Sequence, residues 1–467
     1  MKQAYVIGFD RKNKKWVTDG SQGPAVQTPP LDGVLLIDEA AILAAAEDFG
    51  HLRFGRPIAV LEPGSNEDIV KMVNFAREQG IRIGARGEGS SVYGQSQVEG
   101  GIVVRMRAFI KPPIFGADWV EVSPGMTWSE VLAATLEHGL RPPVLTHNVE
   151  LSVGGTLSVG GMDGGSYRHG AQVDNVLELQ VVTGEGQLET CSPTHLPELF
   201  DAVLAGLGQC AIILRARLRL IPAGTHARVF ELLYLDLPTM LADERLLVED
   251  GRIDRISGYV FPSASGRWSY YIQADLNFSP PAVPDKDILP TGLHHLQGFE
   301  RVYTQSYFDF VANNPRQAAL KASGRIKLPH PWLDVFVPDS AADKYLAETF
   351  GTLTPADIGV DFPISFFFIK TAVCTRPMLR LPDEESACLF NLMTTITNPE
   401  STERMVEQNR RFFDRARQVG GKHLPVSAMT MTRQDWQEHF HPYWEQFVRA
   451  KHRFDPDNIL TPGPGVF

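Results

Sequence analysis

The chain has 467 residues, 43% hydrophobic and 21% charged, which is the balance of a globular protein with a sizeable core. Its 44 basic and 55 acidic residues give a net charge of −11 without a Lys/Arg block, which argues against nucleic acid or an anionic membrane as a partner. No apolar run approaches the roughly 18 residues of a membrane span, and the N-terminal apolar run is too short for a secretory signal, so we expect a cytoplasmic protein. The four cysteines show no C-x-x-C spacing, so we expect reduced thiols and no metal site; they are Cys191, Cys210, Cys374 and Cys388.

Hydrophobic periodicity predicts alternating strands and short helices in the first half of the chain. The clearest helix has Ser65 as its N-cap and ends before Gly80. Ala211–Leu220 alternates arginine with leucine, which predicts a strand with one arginine-bearing face and one buried face. The other predicted elements are a hairpin of Ala4–Phe9 and Trp16–Thr18, helices at Ile37–Phe49, Ser129–Leu140 and Glu198–Gly206, and strands at Ile58–Leu61, Ile81–Ala85, Gly101–Arg105, Trp119–Val122 and Val176–Val182.

The texture of the sequence changes near Pro222–Thr225, where we predict a domain boundary. Beyond it the predicted helices are longer and proline-rich loops separate the elements. The predicted elements are helices at Thr402–Val419 and Gln434–Ala450, strands at Trp268–Asp275 and Ser365–Thr371, and loops at Pro280–Pro290 and Leu328–Pro338.

Two glycine-rich stretches, Ala85–Gln95 and Leu151–Gly170, predict a ligand site. In the first, Gly87, Gly89 and Gly94 can adopt positive φ, so the backbone can turn several N–H groups toward one anion. Three glycines in ten residues can also form a plain turn. Two such cradles about sixty residues apart suit an extended dinucleotide better than a single phosphate.

Five blocks of the sequence resemble the cytokinin dehydrogenases, which belong to the vanillyl-alcohol-oxidase-type FAD superfamily. Their order and spacing agree over nearly the whole chain. The P-H-P-W-L motif and the tail point to the cytokinin dehydrogenase branch. The blocks are Arg86–Gln95, Leu151–Gly186, Leu199–Gln209, Pro329–Pro338 and Phe454–Phe467.

The resemblance implies an α+β fold: a PCMH-type FAD-binding domain of two subdomains, and a substrate domain whose antiparallel sheet, flanked by helices, covers the flavin. It implies an N-terminal extension at 1–50, the FAD domain at 51–223, the substrate domain at 224–425 and a returning C-terminal segment at 426–467. The cofactor residues that it implies are Ala85, Gly87, Glu88, Gly89, Ser90, Ser91, Gln95, His147, Ser152, Ser158, Met162, Ile213 and Thr461.

One departure from the family concerns the attachment of the flavin. Ser90 stands where the family has the histidine that bonds to the flavin 8α-methyl group, and serine lacks the imidazole nitrogen. Related enzymes add a cysteine link near the second glycine stretch, but no cysteine occurs from Thr146 to Ser158. We therefore expect non-covalent FAD and a milder oxidant.

Other departures fall on the substrate side. The family's T-D-Y-L aspartate, which takes the substrate proton, is His147 here, followed by Asn148. Histidine can act as a general base near neutral pH, or it can simply fill a diverged pocket. A second acidic pocket residue of the family falls on Ser257, and a glutamine near the tail becomes Pro464.

The P-H-P-W-L block ends in a new carboxylate, Asp334, where the family has an amide. A buried carboxylate needs a partner, which a cationic or hydroxyl-bearing substrate or a neighbouring loop could supply. Trp332 could stack on a planar substrate or lie in the core.

These residues predict an FAD-dependent oxidoreductase that takes hydride from a small amine or alcohol to flavin N5, with His147 and Asp334 as the candidate catalytic residues and Trp332, Ser257 and Asn148 as the substrate contacts. The electron acceptor would be dioxygen or a quinone-like compound. The alternatives are a true cytokinin dehydrogenase with His147 as base, and a redox-neutral flavin scaffold that performs a cyclisation or isomerisation. No stretch indicates an oligomeric state.

Overall fold

The computed structural model of this chain describes residues 6–18, 25–263, 268–358, 361 and 363–467, so the first two residues of the predicted hairpin strand lie outside it. Both halves of the chain contain helices and strands, which confirms the predicted mixed fold. The described strands are β1 Val6–Asp10, β2 Lys15–Thr18, β3 Val26–Gln27, β4 Val34–Leu36, β5 Ala59–Glu62, β6 Ile83–Arg86, β7 Ile102–Arg105, β8 Ile114–Phe115, β9 Trp119–Val122, β10 Leu140–Arg141, β11 Val176–Thr183, β12 Leu188–Cys191, β13 Ala211–Arg219, β14 Ile221–Pro222, β15 His226–Tyr234, β16 Arg255–Pro262, β17 Trp268–Phe278, β18 Arg301–Ser306, β19 Leu333–Pro338, β20 Ile364–Lys370, β21 Ser386–Leu392 and β22 Lys422–His423. The described α-helices are α1 Glu39–Ala45, α2 Asn66–Gln79, α3 Trp128–Leu136, α4 Val153–Leu157, α5 Ser166–His169, α6 Pro197–Val203, α7 Leu237–Asp250, α8 Tyr307–Ala312, α9 Pro315–Ala322, α10 Asp339–Thr352, α11 Pro355–Ile358, α12 Thr402–Gln418, α13 Arg433–Phe440 and α14 Trp444–Phe454.

The first sheet has the strand order β4-β5-β7-β6, with β5, β7 and β6 parallel. Its helix α2 begins and ends as predicted: the Ser65 side chain accepts from the Asp68 N–H at 3.2 Å, and Gly80 is left-handed. The N-terminal hairpin packs on this helix through Trp16, whose ring stacks on Phe75 at 5.9 Å. The described part of the N-terminal extension therefore belongs to the core of the first half.

The second sheet is antiparallel, with the order β12-β11-β13-β9-β8. The predicted two-faced strand is β13. Arg215 lies 2.8 Å from Glu178, and Arg217 lies 3.2 Å from Glu121, so carboxylates of both neighbouring strands neutralise the arginine face. Leu218 on the other face is buried. The glycine-rich stretches lie against this sheet and the first.

The third sheet is antiparallel, and its described strands have the order β18-β15-β17-β16-β20-β21-β19-β22. One face, with Val335 and Phe368, packs against helices α7, α10 and α12 in one core. The opposite face, with Phe336 and Phe367, shares a core with the second glycine stretch and the C-terminal helices. One face of this sheet therefore looks toward the glycine-rich cleft.

Several predicted elements differ in the structure; the helix predicted at Ser129–Leu140, for example, ends at Leu136, and Leu140 belongs to β10. The predicted helix Gln434–Ala450 is two helices, α13 and α14, because the chain turns at His441–Pro442. The predicted loop Leu328–Pro338 contains strand β19, whose residues are all buried. The helix predicted at Ile37–Phe49 ends at Ala45, which leaves Asp48 free to turn toward the first glycine stretch.

Within the described ranges, no helix is long and apolar enough to cross a membrane, and no group of three or more His, Cys, Asp or Glu side chains is placed to hold a metal ion. All four cysteines lie within those ranges and are unpaired.

Candidate active site

The first glycine stretch folds back on itself after β6. Gly89 and Gly94 have φ of 69° and 83°, a conformation that favours glycine. Gly87 is required for a different reason: a Cβ there would lie 1.9 Å from Ser152 Oγ in the second stretch. The two glycine-rich stretches therefore meet in direct contact at Gly87 and Ser152.

A cleft opens between these stretches, β13 and the C-terminal tail. His147 and Met162 are not among its described lining residues, and Met162 is instead buried in the core. The predicted cofactor residues that line the cleft are Ala85, Gly87, Glu88, Gly89, Ser90, Ser91, Gln95, Ser152, Ser158, Ile213 and Thr461.

Asp48 holds the first glycine stretch from below. Its Oδ2 accepts from Ser91 Oγ at 2.9 Å and from the Gly94 N–H at 2.7 Å. Burial raises the pKa of this carboxyl group, while these hydrogen bonds and the nearby charge of Arg86 oppose that shift. The sequence prediction missed Asp48 because it placed this residue inside a helix, and no local motif marks its role.

The C-terminal tail closes the cleft along the edge of β6. The Thr461 N–H donates to the Ile83 carbonyl at 2.9 Å, and Gln209 Nε2 donates to the Thr461 carbonyl at 2.8 Å. Behind it, Lys451 Nζ lies 2.6 Å from Asp455 Oδ2, and this carboxylate also accepts from the Leu460 N–H at 3.0 Å. Both charged side chains are almost fully buried, so this ion pair fixes the tail.

The cleft has the character that a dinucleotide cofactor requires. Glycine backbone and the hydroxyl groups of Ser90, Ser91, Ser152 and Ser158 form its polar part, and any Cβ at Gly87 would fill the contact between the two cradles. The remaining lining is mostly apolar, with Glu88, Gln95, Ser96, Thr156 and Thr461 as its other polar side chains. Among the described lining residues there is no histidine or cysteine.

His147 lies on the other side of the site, under the third sheet. Its Nε2 is 3.0 Å from Ser257 Oγ on β16, and its ring packs at 6.0 Å from Phe367 and 6.5 Å from Tyr259. The residue is partly exposed, yet loss of hydration around the imidazole lowers its pKa to about 3, helped by the charges of Arg255 and Arg316. The imidazole is therefore neutral at neutral pH.

An aromatic wall extends from His147 along β16 and β17. The rings of Tyr259 and Tyr271 stack at 5.0 Å, and Phe261 lies parallel to Tyr271 at 5.6 Å. We call the side chains of Ser257, Tyr259, Phe261 and Tyr271 the aromatic wall. It places three stacked aromatic rings beside a hydroxyl group and a neutral imidazole.

A buried charge cluster stands next to this wall. Arg255 Nε lies 3.0 Å from Asp275, and its Nη1 lies 3.9 Å from Asp163. Burial and the neighbouring Arg255 act in opposite directions on the pKa of Asp163, which rises to about 6 because burial dominates. These residues were not predicted as part of the site, since Arg255 and its partners lie far apart in the sequence.

Asp334 shares the sheet face with the aromatic wall but lies three strands away. Tyr259 pairs with Ser365, Ser365 with Asn391 and Asn391 with Asp334. At about 4.8 Å per strand, Asp334 is roughly 14 Å from the Tyr259 position. Asn391 Nδ2 donates to Asp334, and burial raises the pKa of the carboxyl group to about 6. Asp334 and His147 are thus not one acid–base pair.

Asn148 and Trp332 have protein contacts of their own. Asn148 Oδ1 accepts from the Glu150 N–H at 3.0 Å, as in a turn. Trp332 meets the ring of Phe49 edge-on at 4.9 Å, and Asn409 Nδ2 donates to the Trp332 carbonyl at 3.3 Å. Contact of either side chain with substrate stays a prediction.

Comparison with known families agrees with this arrangement. A family model described as an FAD binding domain matches residues 57–192. A model described as cytokinin dehydrogenase 1, FAD and cytokinin binding, matches residues 269–467. The two matches cover the glycine-rich half and the half that carries β17 through the tail, which confirms the predicted FAD cofactor.

Curated relatives align over nearly the full chain. An uncharacterized oxidoreductase, ORF5 in the fasciation locus of Rhodococcoides fascians, is 34% identical over 93% of this chain and 99% of its own length. Cytokinin dehydrogenase 9 of Oryza sativa subsp. japonica is 32% identical over 91% of this chain and 89% of its own. Cytokinin dehydrogenase 2 of Arabidopsis thaliana is 31% identical over 97% of both. The resemblance seen in the sequence is confirmed, and the chain belongs to the cytokinin dehydrogenase family of FAD-dependent oxidoreductases.

Proposed function

We propose that this chain is an oxidase or dehydrogenase that removes hydride from a small amine or alcohol while holding FAD non-covalently. Bound FAD supplies the hydride acceptor at N5, and dioxygen or a quinone-like compound takes the electrons from it. The observation that carries the proposal is the neutral imidazole of His147, 3.0 Å from Ser257 and beside the aromatic wall.

His147 is the proposed proton acceptor. In the tautomer with its proton on Nδ1, Nε2 accepts from the Ser257 hydroxyl group. As the substrate N–H or O–H is deprotonated, its proton passes to Ser257 Oγ, and the Ser257 proton passes to His147 Nε2. Because the imidazole is already neutral, this base is available without a prior deprotonation.

Non-covalent binding is supported by the residues that line the cleft. Ser90 offers a hydroxyl group at the position of the family's flavin-linked histidine, and the described lining has no histidine or cysteine. We further infer that the first and second sheets form the two subdomains of a PCMH-type domain. The proposed domain boundaries are those predicted from the sequence, after residues 50, 223 and 425. A cytoplasmic location is part of the proposal.

The test is to purify the protein, record its visible spectrum, and precipitate it with acid. Flavin in the supernatant is the expected result, and flavin in the pellet would contradict non-covalent binding. The soluble holoenzyme is then mixed anaerobically with a panel of primary amines and alcohols. Bleaching of the flavin by at least one of them is expected, whereas product formation with no bleaching by any donor would replace this proposal with a redox-neutral one.

A second candidate is cytokinin dehydrogenation itself, because relatives with that name are 30–32% identical over more than nine-tenths of this chain. Isopentenyladenine would then bleach the flavin faster than any simple amine. No bleaching by isopentenyladenine, with bleaching by another donor, would exclude this candidate and keep the first.

A further inference from the structure

We infer that Arg316 binds an oxyanion of the substrate, a carboxylate or a phosphate attached to a planar apolar body that lies on the aromatic wall. The inference deepens the proposed function, since it rests on His147 and the aromatic wall being the substrate face. It names the chemical class of the substrate, which the family assignment leaves open.

Arg316 is a guanidinium group laid over the aromatic wall. It comes from α9 and lies 5.8 Å from the Tyr259 ring centre and 4.9 Å from that of Phe261. One of its Nη2 hydrogens goes to Tyr271 Oη at 3.3 Å. The side chain is half-buried, and no carboxylate within the described ranges lies within 4 Å of it. Most of its five N–H donors therefore remain available to a ligand.

The other charged groups near His147 are already matched. Arg255 is compensated by Asp275 at 3.0 Å and by Asp163 at 3.9 Å. Glu231, which faces Tyr271 from β15, is held by Arg301 at 2.9 Å. Of the charges in the described structure that act on His147, Arg316 alone lacks an acidic partner. A positive site beside a neutral base favours an anion.

The aromatic wall indicates the chemical character of the rest of the substrate. Tyr259, Tyr271 and Phe261 are stacked on one another, and a planar aromatic group can extend such a stack. A guanidinium fork recognises a carboxylate or phosphate in bidentate fashion. An oxyanion there would also offset one of the two charges that disfavour the His147 imidazolium, so binding and proton acceptance would support each other.

The experiment measures binding without turnover. Phenylacetate, phenyl phosphate and the neutral phenylacetamide are titrated into the holoenzyme by calorimetry. We expect at least one anion to bind at least tenfold more tightly than the amide, with the tighter one identifying a carboxylate or a phosphate site. Equal binding of all three probes, or no binding of either anion, would overturn the inference.

Variants locate the site. Arg316→Gln should lower the affinity for the preferred anion about tenfold or more and leave that for phenylacetamide unchanged, and Arg316→Lys should fall between. Lys321→Gln, which removes one exposed charge from the same helix, should change nothing. An unchanged Tm shows that Arg316→Gln is folded; anion affinity equal to wild type in a folded variant would refute the site. Failure of every donor to bleach the flavin would refute the proposed function and leave these binding results standing.

Discussion

In the proposed function, the cleft that would hold FAD and the aromatic wall that would face the substrate are two halves made from different materials. The cleft is made of backbone: Gly87 touches Ser152 so closely that no side chain fits, and the tail is held through main-chain groups of Thr461 and Leu460. The wall is made of side chains that project from one sheet face, such as Tyr259 and Ser257.

The difference means that the two halves tolerate substitution unequally. A backbone cradle admits few residue types where an added Cβ would clash, as at Gly87, so we expect a substitution at such a position to weaken cofactor binding. A side chain on a sheet face can be exchanged without moving the strands, because pairing depends on the main chain. His147 and Ser257 stand where the resemblance places two acids, yet β16 and β17 remain in register.

The strongest test of the backbone half is Gly87→Ala. The added Cβ would lie 1.9 Å from Ser152 Oγ and 2.6 Å from its Cβ, so the two stretches must separate. We expect FAD affinity to fall at least a hundredfold, measured by calorimetry on apoprotein and by the flavin content after purification.

Two further variants make this test specific. Adding Ser152→Gly to Gly87→Ala removes both clashing atoms and should restore a large part of the affinity. Gly351→Ala, in a position with open space on α10, should leave FAD binding unchanged and the protein equally or slightly more stable. Full FAD content in Gly87→Ala would show that the cradle is not the cofactor site.

Sequence reasoning reached the two halves unequally. The glycine stretches, the N-cap Ser65 and the two-faced strand β13 are visible locally, because glycine, caps and alternation each have a backbone cause. Asp48, Arg255 and Arg316 were not found. Each acts through residues distant in sequence, and an isolated aspartate or arginine has no spacing that marks it.

Two differences between prediction and structure, at strand β19 and at His147, also arise from residues that are distant in the sequence. Strand β19 follows a proline-rich stretch that favours a loop, but its apolar residues are buried on both faces of a sheet that the local sequence does not reveal. The ordinary pKa of histidine suggested a base that titrates near neutrality, whereas burial beside two guanidinium groups lowers it to about 3.

The side-chain half is tested by His147→Gln, which removes the base. We expect the rate of anaerobic flavin reduction to fall about 10²–10⁴-fold, with FAD content unchanged. Because the pKa of His147 is about 3, the wild-type rate should show no acid limb from this group between pH 5 and 8. The control is His138→Gln, which replaces a solvent-exposed histidine and should leave the rate of flavin reduction unchanged. A tenfold loss of wild-type rate per pH unit below 6.5 would contradict the buried, neutral imidazole.

The C-terminal tail that closes the cleft is tested by Lys451→Met. This leaves the Asp455 carboxylate buried without its cation and removes the bond from Lys451 to the Gln209 carbonyl. Breaking a buried ion pair in this way costs about 3–5 kcal/mol of stability. The midpoint of unfolding should therefore move to a lower urea concentration, and FAD should dissociate faster. Arg453→Gln breaks an exposed pair with Glu198 and should cost less than about 1 kcal/mol. Equal effects would mean that the buried pair does not hold the tail.

The smallest expected effect belongs to Asp334→Asn. Asp334 is 7% exposed, and its nearest side-chain partner is the neutral amide of Asn391. Its pKa is raised to about 6, so the folded protein holds this proton more tightly than the unfolded chain, whose aspartate titrates near 3.9. The contribution of Asp334 to stability therefore falls as the pH rises from about 4 through 6, and above 6 the protein bears the full cost of a buried charge.

Asparagine removes that charge and can still accept from Asn391, but its own amide hydrogens need partners. We therefore expect Asp334→Asn to raise the free energy of unfolding by only about 1–2 kcal/mol at pH 7.5 and by distinctly less at pH 5. The Tm measured at both pH values checks this. Asp343→Asn, which breaks an exposed ion pair with Arg245, should lower the stability slightly at both pH values. If Asp334→Asn is less stable than wild type at pH 7.5, the carboxylate is better satisfied than its single amide contact indicates.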